Sequence, residues 1–152
     1  MADVTVIGIR CERPFDEIIE HFRSLGGDAV LMNPEYVCGR DHILSAVMHA
    51  ERAFEHNTNR SRTLLTETIL YAAGERQISK ALEKMMPKTN EMATAVFGVK
   101  DLCLERIDAV SDDRIIECTN KKLNDLGIDR FEGISCEDLV LEMVAVMDIQ
   151  KQ

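Results

Sequence analysis

The chain has 152 residues, 45% of them hydrophobic, which is enough for one domain with one core. Its formal net charge of -9 disfavours nucleic-acid binding by the molecule as a whole, and no apolar run has the length of a membrane span. The five cysteines are irregularly spaced and contain no C-x-x-C pair, so we expect a reducing, cytoplasmic protein with free thiols.

Hydrophobic periodicity predicts alternating strands and helices in the first half of the chain. Strands are predicted over residues 4–9 and 29–32, and the helix between them begins near Pro14 and ends near Gly26. Three further helices are expected, at residues 41–54, at residues 63–73 and from residue 78 to Pro87.

The second half gives a weaker pattern. A third strand is predicted over residues 92–99, and the predicted elements that follow it are a helix at 102–107, a short strand or turn at 114–118 and a helix at 121–126. Ser135 and Asp138 form a capping-box-like start for a last, amphipathic helix. Residues 1–152 are therefore predicted to form one α/β domain, a sandwich of a small mixed β-sheet and about six helices.

Motifs that would indicate an enzyme are missing. The sequence has no phosphate-binding loop, no dinucleotide-binding glycine pattern, no H-E-x-x-H and no G-x-S-x-G. Cys38 and His42 have the spacing of two ligands on a helix, but no second pair completes a metal site. We expect no catalysis, no cofactor and no metal, with a small thiol enzyme using Cys103 or Cys118 as the least favoured alternative.

Positive charge is concentrated in residues 60–88. This segment has six basic and three acidic residues, a net charge of +3, whereas the rest of the chain has twelve basic and 24 acidic residues, a net charge of -12. Any contact with RNA must therefore rest on this helix–glycine–helix hairpin. Its basic residues are Arg60, Arg62, Arg76, Lys80, Lys84 and Lys88.

The turn at Gly74 has the chemistry of a site for an RNA end. Glycine permits a sharp turn, and the next helix presents backbone N–H groups without intrahelical acceptors. Arg76 can grip a phosphate, and Gln77 can pair with a base edge or a ribose hydroxyl. Tyr71, one helical turn earlier, could stack on a base, although its position is also typical of a core residue.

Three more basic residues extend this candidate site. Arg60 and Arg62 precede the first helix of the hairpin and could contact a more distant phosphate. Lys80 lies in the second helix, close to Arg76 in sequence. Its i,i+4 spacing from Lys84 is equally typical of a solvated helix face, so both interpretations stay open.

The hairpin sequence resembles the KEOPS kinase-binding subunit family, whose eukaryotic member is PRPK-binding protein. The matching parts are R-T-L-x-T-E-x-I at residues 62–69 and A-G-E-R-Q-I-x-x-A at residues 73–81. The likeness is close over about residues 40–85 and extends to most of the chain in the order of its elements. The G-E-R-Q-I form is similar to archaeal members, which implies an archaeal source.

This resemblance implies a non-catalytic role in placing threonylcarbamoyl on tRNA. Family members bind the small atypical kinase/ATPase subunit of the complex and stimulate its ATPase activity. Archaeal members also capture the tRNA 3′ CCA end, and the kinase in turn contacts the threonylcarbamoyl-transferase catalytic subunit. No membrane partner is implied, and an adaptor without RNA contact is the main alternative.

The last helix is the candidate surface for docking the kinase. Val140, Val144 and Met147 lie beside its main apolar stripe and could be apolar positions left over for a partner. The alternative is that these three residues complete the core.

Overall fold

The computed structural model describes residues 3–150 and contains one four-stranded sheet with the strand order β2-β3-β1-β4. The alternation of apolar residues in short β-branched runs, bounded by turns, explains why these segments form strands. The strands are β1 Val4–Arg10, β2 Asp28–Met32, β3 Glu91–Phe97 and β4 Val110–Ser111.

All three strand pairs in the sheet are antiparallel. The strands β1 and β2 run in the same direction because one helix connects them, but β3 lies between them and pairs with both. The α/β architecture is confirmed. The sheet was expected to be mixed, but all of its hydrogen-bonded pairs are antiparallel, because β3 lies between β1 and β2. Strand β4 was not predicted, since two residues are too short for a periodic signal.

Within residues 3–150, six α-helices pack around this sheet, in line with the prediction of about six. Their bounds are α1 Phe15–Ser24, α2 Arg40–Glu55, α3 Leu64–Ala73, α4 Ile78–Met85, α5 Asn120–Asp125 and α6 Cys136–Gln150. The predicted helix at 102–107 is a 3-10 turn, Leu104–Ile107, and the segment predicted at 114–118 is another, Asp113–Ile116.

The core has a layer on each face of the sheet. Helix α1 covers one face with Ile18 and Phe22. The other face supports helices α2, α3, α4 and α6, which pack over alternate residues of the strands. This second layer is the larger one, and it positions the candidate functional surfaces.

Local capping groups set the ends of the helices that matter for function. The Thr63 hydroxyl accepts a hydrogen bond from the backbone N–H of Thr66 at the start of α3. The Ser135 hydroxyl accepts one from the N–H of Asp138 at the start of α6, as its capping-box pattern predicts. Among residues 3–150, no helix is long and apolar enough to cross a membrane.

Candidate RNA-binding turn and partner-binding helix

Gly74 makes the turn between α3 and α4, which we call the α3–α4 turn (residues 74–77). Its φ of 66° lies in the left-handed region, and its N–H bonds back to the carbonyl of Tyr71. A Cβ at this position would lie 2.9 Å from the Met143 sulfur on α6. The left-handed backbone conformation therefore favours glycine here, and a larger residue would also have to displace the Met143 side chain.

The polar side chains of the α3–α4 turn face solvent. Arg76, Gln77 and Lys80 are all exposed. The one carboxylate of the turn, on Glu75, pairs instead with the Lys84 ammonium at 3.4 Å. Within residues 3–150, no ion pair involves Arg76 or Lys80, so two basic groups are available for a phosphate.

Backbone amides add to this positive surface. Helix α4 begins at Ile78 with Gln77 as its N-cap, and the Gln77 side chain makes no capping hydrogen bond. The first-turn N–H groups of any helix lack an intrahelical acceptor and lie at the positive end of the helix dipole, and here Gln77 does not cap them. They border a shallow surface pocket of about 310 Å³, lined by Gly74, Glu75, Arg76, Gln77 and Lys80.

Arg60 and Arg62 are exposed on the loop before α3. This loop is fixed by Glu67, whose carboxylate is fully buried and accepts hydrogen bonds from the N–H groups of Arg60 and Ser61 and from the Ser61 hydroxyl. Sequence reasoning gave Glu67 no role, although it belongs to the family-like motif. The hydrogen bonds to this buried carboxylate fix the backbone of residues 60 and 61, and with it the position from which the side chains of Arg60 and Arg62 extend.

Tyr71 is a correction to the predicted RNA site. Its side chain is fully buried, and its hydroxyl donates a hydrogen bond to Asp148 on α6. The same carboxylate bonds His49 on α2, whose ring lies 5.5 Å from the Tyr71 ring. Burial, with hydrogen bonding to Asp148, also raises the pKa of Tyr71. A ring enclosed by three helices cannot stack on a base, so Tyr71 is structural.

The predicted kinase-docking residues on α6 are also corrected. Val140 and Val144 are fully buried, and Met147 is 2% exposed. They pack against α2, α3 and α5, so they complete the core rather than contacting a partner. The alternative interpretation from the sequence is the one that the structure supports for these three residues.

The opposite side of α6 is less covered and carries apolar residues beside the exposed carboxylates of Asp138 and Glu142. Leu141, Ala145 and Ile149 recur every four residues on this side, and Ile149 is 71% exposed. A helix that is apolar on both sides is typical of one buried on both sides. A separate groove of about 260 Å³ lies along α6 and is lined by Phe131, Leu139, Met143 and Val146, by the acidic residues Asp129 and Glu142, and by Gly74. We call Leu141, Ala145 and Ile149, together with the lining of this groove, the outer α6 surface.

The cysteines and His42 depart from the sequence expectations. His42 is fully buried, with one ring nitrogen bonded to the Cys38 N–H and the other to the Ala72 carbonyl, so both ring nitrogens already have partners within the protein. Burial lowers its pKa to about 4. Cys118 and Cys136 form a disulfide, so the expectation of five free thiols is wrong for this pair.

Comparison with known proteins now decides the family. The family model described as Kinase binding protein CGI-121 matches residues 16–145, most of the chain. The chain belongs to the CGI-121 family. This confirms the resemblance to KEOPS kinase-binding subunits noted from residues 62–81. No curated protein sequence matches the chain significantly.

Membership of the CGI-121 family gives the two surfaces a context. The match includes the whole α3–α4 turn and the part of α6 up to residue 145, whereas Ile149 lies beyond the matched residues. The family is one of kinase-binding proteins.

Proposed function

We propose that this protein is a non-catalytic subunit of a cytoplasmic KEOPS complex, and that it binds and activates the atypical kinase/ATPase subunit. The observation that carries the proposal is the CGI-121 match over residues 16–145. Through the kinase, the protein acts indirectly on the threonylcarbamoyl-transferase subunit that modifies tRNA.

The outer α6 surface is the docking face that best suits this role. Buried residues occupy the inner side of α6, so the exposed apolar side chain of Ile149 on its outer side is not needed for the monomer's own core. A protein partner would remove Ile149 and Phe131 from water, which favours association. This assignment keeps the predicted helix but moves the contact to its other side.

Calorimetry of the full chain with an archaeal KEOPS kinase subunit tests the proposal. We expect saturable binding of one protein to the other and a higher ATPase rate of the kinase in the complex. An unrelated small kinase serves as the control. The proposal fails if the folded chain neither binds the KEOPS kinase nor changes its ATPase rate.

A second function, capture of the tRNA 3′ CCA end, is favoured by the α3–α4 turn. Support comes from the exposed Arg76, Gln77 and Lys80, and from the uncapped amides at the start of α4. An RNA terminus has unstacked bases and exposed phosphates that such groups recognise. Arg60 and Arg62 would contact phosphates of the acceptor stem.

The charge of the molecule sets limits on this RNA contact. With a net charge of -9, the protein repels RNA everywhere except near the local basic residues. Because few phosphates are contacted, the affinity for RNA of unrelated sequence should be low. The affinity for tRNA should fall as the salt concentration rises.

Gel shifts with intact tRNA and with the same tRNA lacking CCA test the capture. We expect the intact tRNA to bind more tightly. Equal affinity for both forms would remove the capture function and leave the rival proposal, an adaptor without RNA contact.

The thiol-enzyme alternative gains no support from the thiols. Cys118 is in the disulfide, and the pKa of the Cys103 thiol is raised by desolvation and by Asp101, whereas a nucleophile needs a lowered pKa. We therefore propose that the protein acts by binding alone.

A further inference from the structure

Three cysteine sulfurs meet at one place in the fold. The Sγ atoms of Cys38, Cys118 and Cys136 all lie within 4.8 Å of one another. Two of them, Cys118 and Cys136, form the disulfide, and Cys38 is the fully buried thiol beside it. Spacing along the chain hides this cluster, because the three residues belong to separate segments.

The cluster brings together three segments that are far apart along the chain. Cys38 lies just before α2, Cys118 follows the 3-10 turn Asp113–Ile116, and Cys136 is the first residue of α6. Leu123 of α5 and Val140 of α6 pack around them in a small apolar cluster of their own. A bond among these sulfurs therefore fixes the start of α6 to the rest of the domain.

One ammonium and one carboxylate, those of Lys122 and Glu137, act on the Cys38 sulfur. Cys136 sits in the first turn of a 15-residue helix, where the dipole favours an anionic sulfur. The Lys122 ammonium is fixed close by, donating to the carbonyls of Val37 and Ile115 at 2.9 Å each. A buried thiol that only fills space has no need of such neighbours.

We propose that Cys38, Cys118 and Cys136 form a metal site for one thiophilic divalent cation, of the Zn²⁺ class, when the disulfide is reduced. A dithiol reductant transfers two electrons and two protons to the disulfide and is itself oxidised to a disulfide. The cation then forms three metal–sulfur bonds and displaces three thiol protons.

The geometry suits a tetrahedral ion. Zinc–thiolate bonds of about 2.3 Å place sulfurs about 3.8 Å apart, within the spread of this cluster once the disulfide opens. Water or the Glu137 carboxylate completes the fourth position. Glu137 lies near the segment that carries Cys38. Its Cγ is 3.7 Å from the position that a Cβ would occupy on Gly39, the residue after Cys38. Three thiolates and one divalent cation together leave a single net negative charge, which the nearby Lys122 ammonium balances.

A cobalt titration tests the site. The full chain is first reduced with a phosphine, and the phosphine is then removed under anaerobic conditions. We expect the visible absorption of tetrahedral, sulfur-ligated Co²⁺ to saturate at one ion per chain and to disappear when Zn²⁺ is added. Cys38→Ala should abolish that spectrum, whereas Cys103→Ala, a thiol outside the cluster, should retain it. Glu137→Gln tells carboxylate from water in the fourth position by the change in the spectrum.

A second measurement avoids dependence on the folding of variants. Zn²⁺ should protect the half-buried Cys118 and Cys136 of the reduced wild-type protein from alkylation, while Cys103 stays reactive, as read by peptide mass spectrometry. Absence of a sulfur-ligated Co²⁺ spectrum in the folded, reduced protein would overturn the proposal. So would a spectrum unchanged in a folded Cys38→Ala variant, or alkylation of Cys118 and Cys136 at equal rates with and without Zn²⁺.

Discussion

The α3–α4 turn and the outer α6 surface border one another at Gly74 but differ in every physical respect. The turn offers cations and backbone amides on a short, sharply bent segment. The α6 surface offers apolar side chains on a long helix. An acidic protein can attract RNA only where such local groups are left unpaired, whereas an apolar helix face serves a protein partner whatever the net charge.

The two sides of α6 allow the sharpest separation of stability from binding. Val144→Glu places a charge in the core and should lower the free energy of unfolding by more than about 3 kcal/mol. Ile149→Glu should leave the unfolding midpoint unchanged but weaken kinase binding roughly 30-fold or more. Denaturant unfolding and calorimetry measure the two effects. A folded Val144→Glu variant that loses only the kinase would reverse the assignment.

Glu67 links the stability of the hairpin to the position of its arginines. Glu67→Gln keeps the shape but weakens the buried hydrogen bonds to the 60–61 backbone, so we expect a loss of about 2 kcal/mol in urea unfolding. Glu83→Gln, on the exposed side of α4, is the matched control and should change stability by less than about 0.5 kcal/mol. Equal effects of the two variants would remove Glu67 from the account.

Gly74 tests whether the turn depends on its contact with α6. Gly74→Ala should cost about 2 kcal/mol, from left-handed backbone strain and from the clash with the Met143 sulfur. Gly127→Ala isolates the strain, because its φ is +77° and nothing lies within 4 Å of its added Cβ. Thermal unfolding should show a smaller loss for Gly127→Ala, and an equal loss would mean that Met143 moves aside freely.

Arg76 should give the smallest effect. Arg76→Ala removes one phosphate contact, so tRNA affinity should fall about fivefold and the salt dependence of log K should lose about one unit of slope. Arg106→Ala, an exposed arginine outside residues 60–88, is the control. Filter binding at several salt concentrations measures both values, and an unchanged slope for Arg76→Ala would take Arg76 out of the site.

Local signals in the sequence predicted much of the hairpin. Thr63 and Gly74 have the side chains that cap and end a helix, so the bounds of α3 followed from residues near them in the chain. The exposed charges of Arg76 and Lys80 followed from composition in the same way. Strand β4 could not be predicted, because its two residues pair only through the tertiary fold.

The errors arose where distant segments decide the outcome. Tyr71 is buried in the core formed by α2, α3 and α6, where its hydroxyl donates a hydrogen bond to Asp148, 77 residues later in the chain. The sides of α6 could not be told apart, since apolar residues occur on both, and periodicity then fails to identify the inner one. The sulfurs of Cys38 and Cys118 approach each other only after folding.

The separation of the two surfaces is best measured by crossed titrations of Arg76→Ala and Ile149→Glu, each against intact tRNA and against the kinase. Each folded variant is predicted to lose affinity for one partner and to keep wild-type affinity for the other, with Arg76→Ala impaired for tRNA and Ile149→Glu for the kinase. If either variant loses both partners while remaining folded, or neither loses any, the division of roles between the α3–α4 turn and α6 is wrong.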